Sequence, residues 1–206
     1  MPANRPRSEV VIFFDIGNVL LKFDAREAAR KIARALGRHP LKVIRYFASS
    51  RLVDMVERGK IAPRELHELF REKLGFAGSF SQFKRLWCGH FKFDRRSASL
   101  LKTLSRRHRV YLLSNTNSLH YEHIRRRYAF ARHAHGAVLS HELGLRKPEP
   151  AIFRAALKIA KTKPAQAVFI DDLKANVEAA RRLGIRVIHH TPATDLRREL
   201  AALGLL

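Results

Sequence analysis

Four groups of polar side chains in this chain of 206 residues have types and positions that could do chemistry together. Three of them directly follow short apolar runs, and the fourth lies just ahead of a helix start. The groups are Asp15, Ser114-Asn115, Lys147 and Asp171-Asp172. Carboxylate oxygens suit a hard cation such as Mg²⁺, and a lysine with hydroxyl and amide donors suits phosphoryl oxygens. These residues therefore predict metal-assisted phosphoryl chemistry, provided that the fold brings them together.

The apolar runs predict the strands of a sheet. They lie at 10–14, 110–113, 137–139, 167–170 and 185–188. Segments with helical periodicity separate them, at 95–105, 119–128, 150–160, 174–183 and 194–203. Alternating strands and helices predict an α/β fold with a Rossmann-like parallel sheet covered on both faces. Ligands bind at the carboxyl ends of such strands, so the four groups are expected to meet there.

A long interval after the first strand breaks this alternation. It contains no convincing strand, and its periodicity predicts helices at 25–36, 40–49, 52–57, 63–74 and 81–91. Pro40 and Pro63 suit the first turn of a helix, and Ser79 or Ser81 suits an N-cap. We therefore predict a catalytic core from 1–21 and 93–206 and an inserted helical cap at 22–92.

Each polar group also has a simpler interpretation when it is taken alone. A carboxylate after a strand is often a helix N-cap or complements a helix dipole. A lysine is often a solvated loop residue, and a Ser-Asn pair is often a turn. The occurrence of all four groups in order at strand ends favours a site.

The same residues resemble, in order, the four signature motifs of the haloacid dehalogenase superfamily. The matching segments are Asp15-Ile16-Gly17-Asn18-Val19, Ser114-Asn115, Lys147-Pro148 and Asp171-Asp172. A helical cap after the first strand is also that family's arrangement. The segments around Ser114, Lys147 and Asp171 look most like the branch of small bacterial sugar-phosphate phosphatases, including the glucose-1-phosphate type.

The resemblance implies a role for each matching residue. Asp15 would attack phosphorus and form an aspartyl-phosphate. Ser114 and Asn115 would hold phosphoryl oxygens, and Lys147 would balance charge between the nucleophile and the phosphate. Mg²⁺ would be held by three sets of groups: Asp15, the Gly17 carbonyl, and Asp172 with Asp171 directly or through water.

Gly17 departs from the family pattern. Most phosphatases of this superfamily have a second aspartate there, which protonates the leaving oxygen, and glycine has no proton to donate. An anomeric hydroxyl is more acidic than an ordinary alcohol and needs that acid less. A hexose-1-phosphate is therefore the predicted substrate, with the prediction that it is turned over faster than the 6-phosphate.

The cap is expected to close over the site and select the substrate. Candidate contacts are Glu57-Arg58-Gly59, His67, Trp87 and His90, although no spacing compels a role. Trp87 and Phe91 are predicted to belong to the cap core. His67 and His90 are predicted to lie at the surface.

Composition leaves alternatives open. Forty-one Lys and Arg against 18 Asp and Glu give a net charge of +23, which favours anionic partners. A small phosphorylated metabolite is the expected partner. One alternative is a 2-haloacid dehalogenase, whose fourth motif generally lacks the acidic pair. Another is a catalytically weak protein with a nucleic-acid-binding or regulatory role.

The sequence also bears on the cellular compartment. A single cysteine fits a reducing cytoplasm, and neither a signal peptide nor a membrane span is predicted. The oligomeric state is left open.

Overall fold

The structure, a computed structural model, describes residues 10–206. The first nine residues of the predicted core lie outside this range. Five parallel strands form the central sheet in the order β5-β4-β1-β6-β7. These strands are β1 (Val11–Phe14), β4 (Arg109–Ser114), β5 (Gly136–Leu139), β6 (Ala167–Asp171) and β7 (Arg186–His189). The predicted α/β class and Rossmann-like sheet are confirmed.

Helices cover both faces of the sheet. Because alternate side chains of a strand point to opposite faces, Ile12 and Phe14 of β1 pack into one cluster and Val11 and Phe13 into another. The first face carries α6 (Arg95–Leu104), α7 (Ser118–Arg127) and α11 (Leu196–Ala202). The second face carries α9 (Pro150–Ile159) and α10 (Lys174–Arg182).

Five helices follow β1 and have an apolar cluster of their own. We refer to residues 25–88 as the cap. Its helices are α1 (Ala25–Ala35), α2 (Pro40–Ser49), α3 (Leu52–Glu57), α4 (Pro63–Leu74) and α5 (Phe80–Cys88). Pro40 and Pro63 occupy the first helical turns, as predicted, and Ser79 rather than Ser81 caps α5.

A two-stranded antiparallel ribbon, which was not predicted from the sequence, joins the cap to the sheet. Its strands are β2 (Leu21–Phe23) and β3 (Phe91–Phe93). The expectation of no strand in this interval was therefore wrong at both ends. Three residues are too few to reveal a period of two. The predicted boundaries at 21/22 and 92/93 fall inside these strands. The short helix α8 (Ser140–Leu143) was also not predicted.

None of the helices within 10–206 has the length and apolar content that crossing a membrane requires.

Phe153 anchors α9 to the sheet. Its side chain is fully buried, and its ring centroid lies 5.3 Å from that of Phe169 in an edge-to-face contact. We expect Phe153→Ala to lower the free energy of unfolding by about 3–5 kcal/mol, because removal of a buried aromatic ring leaves a cavity. Urea denaturation measures this loss. Ile159→Ala on the same helix, where Ile159 is 44% exposed, is the control. A loss no larger than that of the control would contradict this packing.

Candidate active site

The carboxyl end of the sheet brings together the four predicted groups. Asp15 follows β1, Ser114 ends β4, Asp171 ends β6, and Lys147 lies in the loop between α8 and α9. Nζ of Lys147 is 2.9 Å from Oδ1 of Asp15 and 2.6 Å from Oδ2 of Asp171. The topology therefore makes one compact charged cluster out of residues that are up to 156 positions apart in the chain.

Lys147 is the buried centre of this cluster. Its ammonium group also donates to the carbonyl of Leu113 at 2.9 Å, so each of its three N–H bonds has an acceptor. Burial alone lowers the pKa of Lys147, but Asp15 and Asp171 outweigh it and raise the pKa above its usual value. The lysine is consequently charged and fixed in position.

Asp15 is buried beside the lysine. Its Oδ1 accepts the N–H of Ile16 at 2.7 Å in addition to Lys147. Burial raises the pKa of Asp15 to about 7, although Lys147 opposes the rise. The other oxygen, Oδ2, lies toward Gly17, since a Cβ built on that glycine would be 4.0 Å from it. Apart from its chain neighbours, no heavy atom of residues 10–206 is nearer to such a Cβ, so position 17 has room for at least a Cβ.

Asp171 is held more tightly than Asp15. Its Oδ1 accepts the N–H of Leu173 at 2.8 Å and Nδ2 of Asn176 at 2.9 Å. Its Oδ2 accepts Lys147 and, at 3.1 Å, the same amide of Asn176. Sequence reasoning missed Asn176, which lies on the first turn of α10, five residues after Asp171. An amide at that distance from a strand-end carboxylate was the available signal.

Asp172 completes a set of three carboxylates. Its Oδ2 accepts Nδ2 of Asn18 at 2.9 Å, and Asn18, which has a positive φ of 53°, also accepts the N–H of Phe23. One oxygen from each of Asp15, Asp171 and Asp172 lies within 4.8 Å of the others. Three carboxylates against one lysine leave a negative charge that suits a hard divalent cation. Gly17 lies in the same pocket wall, and its carbonyl remains a predicted ligand.

Ser114 and Asn115 lie beside this cluster, as predicted. Ser114 is buried, and its hydroxyl is among the groups that oppose the rise in the pKa of Asp15. Asn115 forms a reciprocal pair with the backbone of Lys147, donating to its carbonyl at 2.9 Å and accepting its N–H at 2.8 Å. Asn115 thus positions the lysine loop, and its role in holding a phosphoryl oxygen stays a prediction.

Ser140 supports the loop that carries these two residues. Its fully buried hydroxyl accepts the N–H of Thr116 at 2.9 Å and donates to the carbonyl of Thr116 at 3.0 Å. The first residue of α8 therefore fixes the backbone after β4. Ser140 was not among the residues predicted from the sequence.

The cap is joined to the lysine loop by charged side chains. Arg146, next to Lys147, contacts Asp54 at 2.8 Å and Glu57 at 2.6 Å. Arg58 pairs with Glu149 and donates to the carbonyl of Gly144 at 3.0 Å. At Gly59, which has a positive φ, any Cβ would collide with the carbonyl of His141. The cap candidate Glu57-Arg58-Gly59 is therefore where the cap meets the core.

The other cap candidates divide between the pocket and the cap core. His67 is buried among phenylalanines and contacts the carbonyl of Gly78 at 3.0 Å. His90 is also buried, so the prediction of surface positions for both histidines was wrong. His90 lines the pocket, as do Trp87 and Phe91. Trp87 belongs to the cap cluster as well, as predicted. Phe91 packs instead against the sheet cluster that contains Ile12 and Phe14, so its assignment to the cap core was wrong.

Comparison with known proteins agrees with this geometry. A family model described as a haloacid dehalogenase-like hydrolase matches residues 11–184. The chain is 26% identical to a D-ribitol-5-phosphate phosphatase of Bacteroides thetaiotaomicron, covering 93% of this chain and 97% of that protein. It is 27% identical to a sesquiterpene phosphatase of Aspergillus oryzae, covering 92% and 94%.

Solved structures with bound ligands are also similar to this chain, and one of them illustrates the likeness. It is a haloacid dehalogenase family enzyme of Bacteroides thetaiotaomicron in complex with magnesium and inorganic phosphate. The TM-score is 0.82 at 26% identity, and the alignment covers 93% of this chain and 98% of that one.

The Ser140 support leads to a stability prediction. Ser140→Ala leaves the buried N–H of Thr116 without its acceptor, which costs about 1–3 kcal/mol. We expect a loss of that size in urea denaturation. Ser99→Ala on the exposed face of α6 should change stability by less than about 0.5 kcal/mol. Equal effects of the two substitutions would show that the hydroxyl does not support this loop.

Proposed function

The chain belongs to the haloacid dehalogenase-like hydrolases, and we propose on this basis that it is a magnesium-dependent phosphatase acting on small phosphomonoesters. The observation that carries the proposal is the buried Asp15–Lys147–Asp171 cluster with Asp172 beside it. A dehalogenase does not need the Asp171-Asp172 pair, because its chemistry needs no metal.

The proposed reaction begins at Asp15. Its carboxylate attacks phosphorus, the bond to the alcohol oxygen breaks, and an aspartyl-phosphate forms that water then hydrolyses. Lys147, which already contacts Oδ1, keeps the nucleophile oriented and offsets negative charge. Ser114 and the unengaged N–H of Asn115 would hold phosphoryl oxygens.

The carboxylates divide the metal site between them. Each oxygen of Asp171 already accepts two hydrogen bonds, so we expect Asp171 to contact the cation through a bridging water and not as a direct ligand. Asp15, Asp172 and the Gly17 carbonyl would be the direct ligands. Bound Mg²⁺ would supply positive charge that lets an anionic nucleophile approach an anionic phosphate.

The alcohol that leaves is the open part of the proposal. One of the two relatives named above is a D-ribitol-5-phosphate phosphatase, and the other is a sesquiterpene phosphatase. This chain has a similar sequence identity to both, so identity at this level accompanies different substrates. Gly17 sets one condition, which is that the alcohol departs without a proton from position 17. A hexose-1-phosphate meets this condition. Comparing turnover of glucose 1-phosphate and glucose 6-phosphate tests that finer prediction.

Loss of the nucleophile or the metal tests the proposal directly. We expect Asp15→Asn to lower kcat on p-nitrophenyl phosphate by at least about a thousandfold, because no covalent intermediate can form. Chelation should abolish wild-type activity, and added Mg²⁺ should restore it. Glu178→Gln, on the solvent side of α10, is the control carboxylate. Activity that survives chelation and Asp15→Asn would refute the proposal, and chloride release from 2-chloropropionate would favour the dehalogenase.

The space beside Gly17 leads to a gain-of-function prediction. Gly17→Asp places a carboxyl group on the Oδ2 side of Asp15, where it can protonate a leaving alkoxide. We expect kcat on n-butyl phosphate to rise about tenfold or more, since a positioned acid contributes about 10²–10⁴. The rate on p-nitrophenyl phosphate, whose leaving group needs no proton, should change little.

Gly17→Asn is the matched control for that substitution, because it has the same shape and no acid. An equal gain from both variants, or no gain from either, would contradict the role assigned to position 17.

A further inference from the structure

The pocket above the carboxylate cluster has two unlike ends. It is an open pocket of about 470 Å³ between the sheet edge and the cap, a size typical of small-molecule sites. Its charged and amide groups come mainly from the core, at the phosphate end. Every pocket residue from Phe23 to Phe91 is apolar except Glu57 and His90. We call the cap side the apolar wall, represented by Ala28, Ala29, Ile32, Phe47, Val56 and Phe91.

Helix α1 shows how the sequence builds this wall. Ala25, Ala28, Ala29 and Ile32 recur at helical spacing, so they lie on one face of the helix, and all four line the pocket. Arg26, Arg30 and Arg34, spaced four residues apart, lie on the opposite, exposed face of the same helix. Small side chains on the inner face leave volume for a ligand and offer it no hydrogen-bonding group.

Most polar groups near the wall already have partners within the protein. Nε2 of His120 contacts the carbonyl of Trp87 at 3.0 Å, and Nδ1 contacts the amide of Asn117 at 3.0 Å. The indole N–H of Trp87 donates to Oδ1 of Asn117 at 3.4 Å. Burial lowers the pKa of His120 to about 4, so the ring is neutral and both of its nitrogens are occupied.

The two polar exceptions on the cap side add little hydrogen-bonding capacity. Oε2 of Glu57 is buried and in ion-pair contact with Arg146 at 2.6 Å next to the phosphate end, although this contact is not aligned as a hydrogen bond. His90 is 9% exposed, and neither ring nitrogen has a well-formed hydrogen-bond partner among residues 10–206. Because both ring nitrogens are buried, His90 adds little polar surface for a ligand.

The mouth of the pocket is also lined by apolar side chains. Ile44, Val53 and Leu173 are 37%, 40% and 55% exposed, and all three line the pocket. Large apolar side chains at a pocket entrance lose contact with water when an apolar ligand passes or rests there.

We infer that the substrate, granted the phosphatase function proposed above, is the phosphomonoester of an apolar alcohol or phenol whose hydrocarbon body lies against the apolar wall. Each hydroxyl of a sugar or polyol would exchange its hydrogen bonds with water for contact with alanine, isoleucine or phenylalanine, which is unfavourable. A hydrocarbon body loses nothing in this exchange and gains from leaving water.

A matched pair of substrates tests the inference. Cyclohexylmethyl phosphate and glucose 6-phosphate each have a six-membered ring attached to a primary phosphate, so their leaving alkoxides are alike and mainly the ring polarity differs. We expect kcat/KM of the full-length enzyme with Mg²⁺ to favour cyclohexylmethyl phosphate by at least about tenfold. A preference for glucose 6-phosphate, or equal values, would overturn the inference.

A binding measurement gives a second readout that needs no turnover. Trp87 is the single tryptophan of the chain and lines the pocket, so its fluorescence reports occupancy. With Asp15→Asn and Mg²⁺, we expect n-alkyl phosphates to bind more tightly by roughly two- to fourfold per added methylene until the chain reaches the mouth. Affinity that is independent of chain length would contradict an apolar wall.

Paired variants locate the effect at the mouth. Ile44→Ser should weaken n-octyl phosphate binding at least threefold, whereas Ile159→Ser, at a similarly exposed isoleucine outside the pocket, should not change it. Equal effects would count against the inference.

The failures of the two proposals are distinguishable. Turnover of p-nitrophenyl phosphate with a polyol preference would overturn the substrate class and leave the phosphatase intact. Absence of any turnover would defeat the phosphatase proposal, and the fluorescence titration would still decide the polarity of the wall.

Discussion

The contact between Lys147 and two carboxylates is the constraint on which the site depends. One buried ammonium group touches Asp15 and Asp171 and has its third donor on the carbonyl of Leu113. Removing water from these charges is unfavourable unless each finds a partner. A displaced lysine would leave two carboxylates buried and uncompensated, so the ends of β1, β4 and β6 have to be held in fixed positions around it.

The surrounding hydrogen bonds hold these groups in position. Asn115 fixes the backbone of the lysine, Asn176 fixes both oxygens of Asp171, and Ser140 fixes the loop after β4. Arg146 extends the arrangement into the cap, because the residue next to the lysine pairs with Asp54 and Glu57. The position of the cap and the position of the lysine are thereby linked through two adjacent residues of one loop.

The sequence predicted the sheet and the convergence of Asp15, Ser114, Lys147 and Asp171 because long-range topology follows from strand order in a parallel sheet. It did not predict Asn176 or Ser140, whose roles depend on which donor faces which acceptor after folding. The β2–β3 ribbon was missed because its strands have three residues each. The apolar wall was invisible for another reason. Helical periodicity identifies a buried face, as at Ala28 and Ile32, but does not distinguish a face packed on protein from one that lines a cavity.

The apolar wall and Gly17 place separate conditions on the same substrate. An apolar enclosure strengthens the charge interactions at its floor, because less water is present to screen them. It also disfavours a hydroxyl-rich alcohol. Gly17 supplies no proton, which disfavours an alcohol whose alkoxide is strongly basic. A hexose 1-phosphate satisfies the condition at Gly17 but not that of the wall, and a simple alkyl phosphate satisfies the wall but not Gly17. A phenol is both apolar and acidic. Within the inferred class, an aryl phosphate therefore meets both conditions. Its leaving group needs no proton from position 17, and its ring needs no hydrogen-bond partner on the apolar wall.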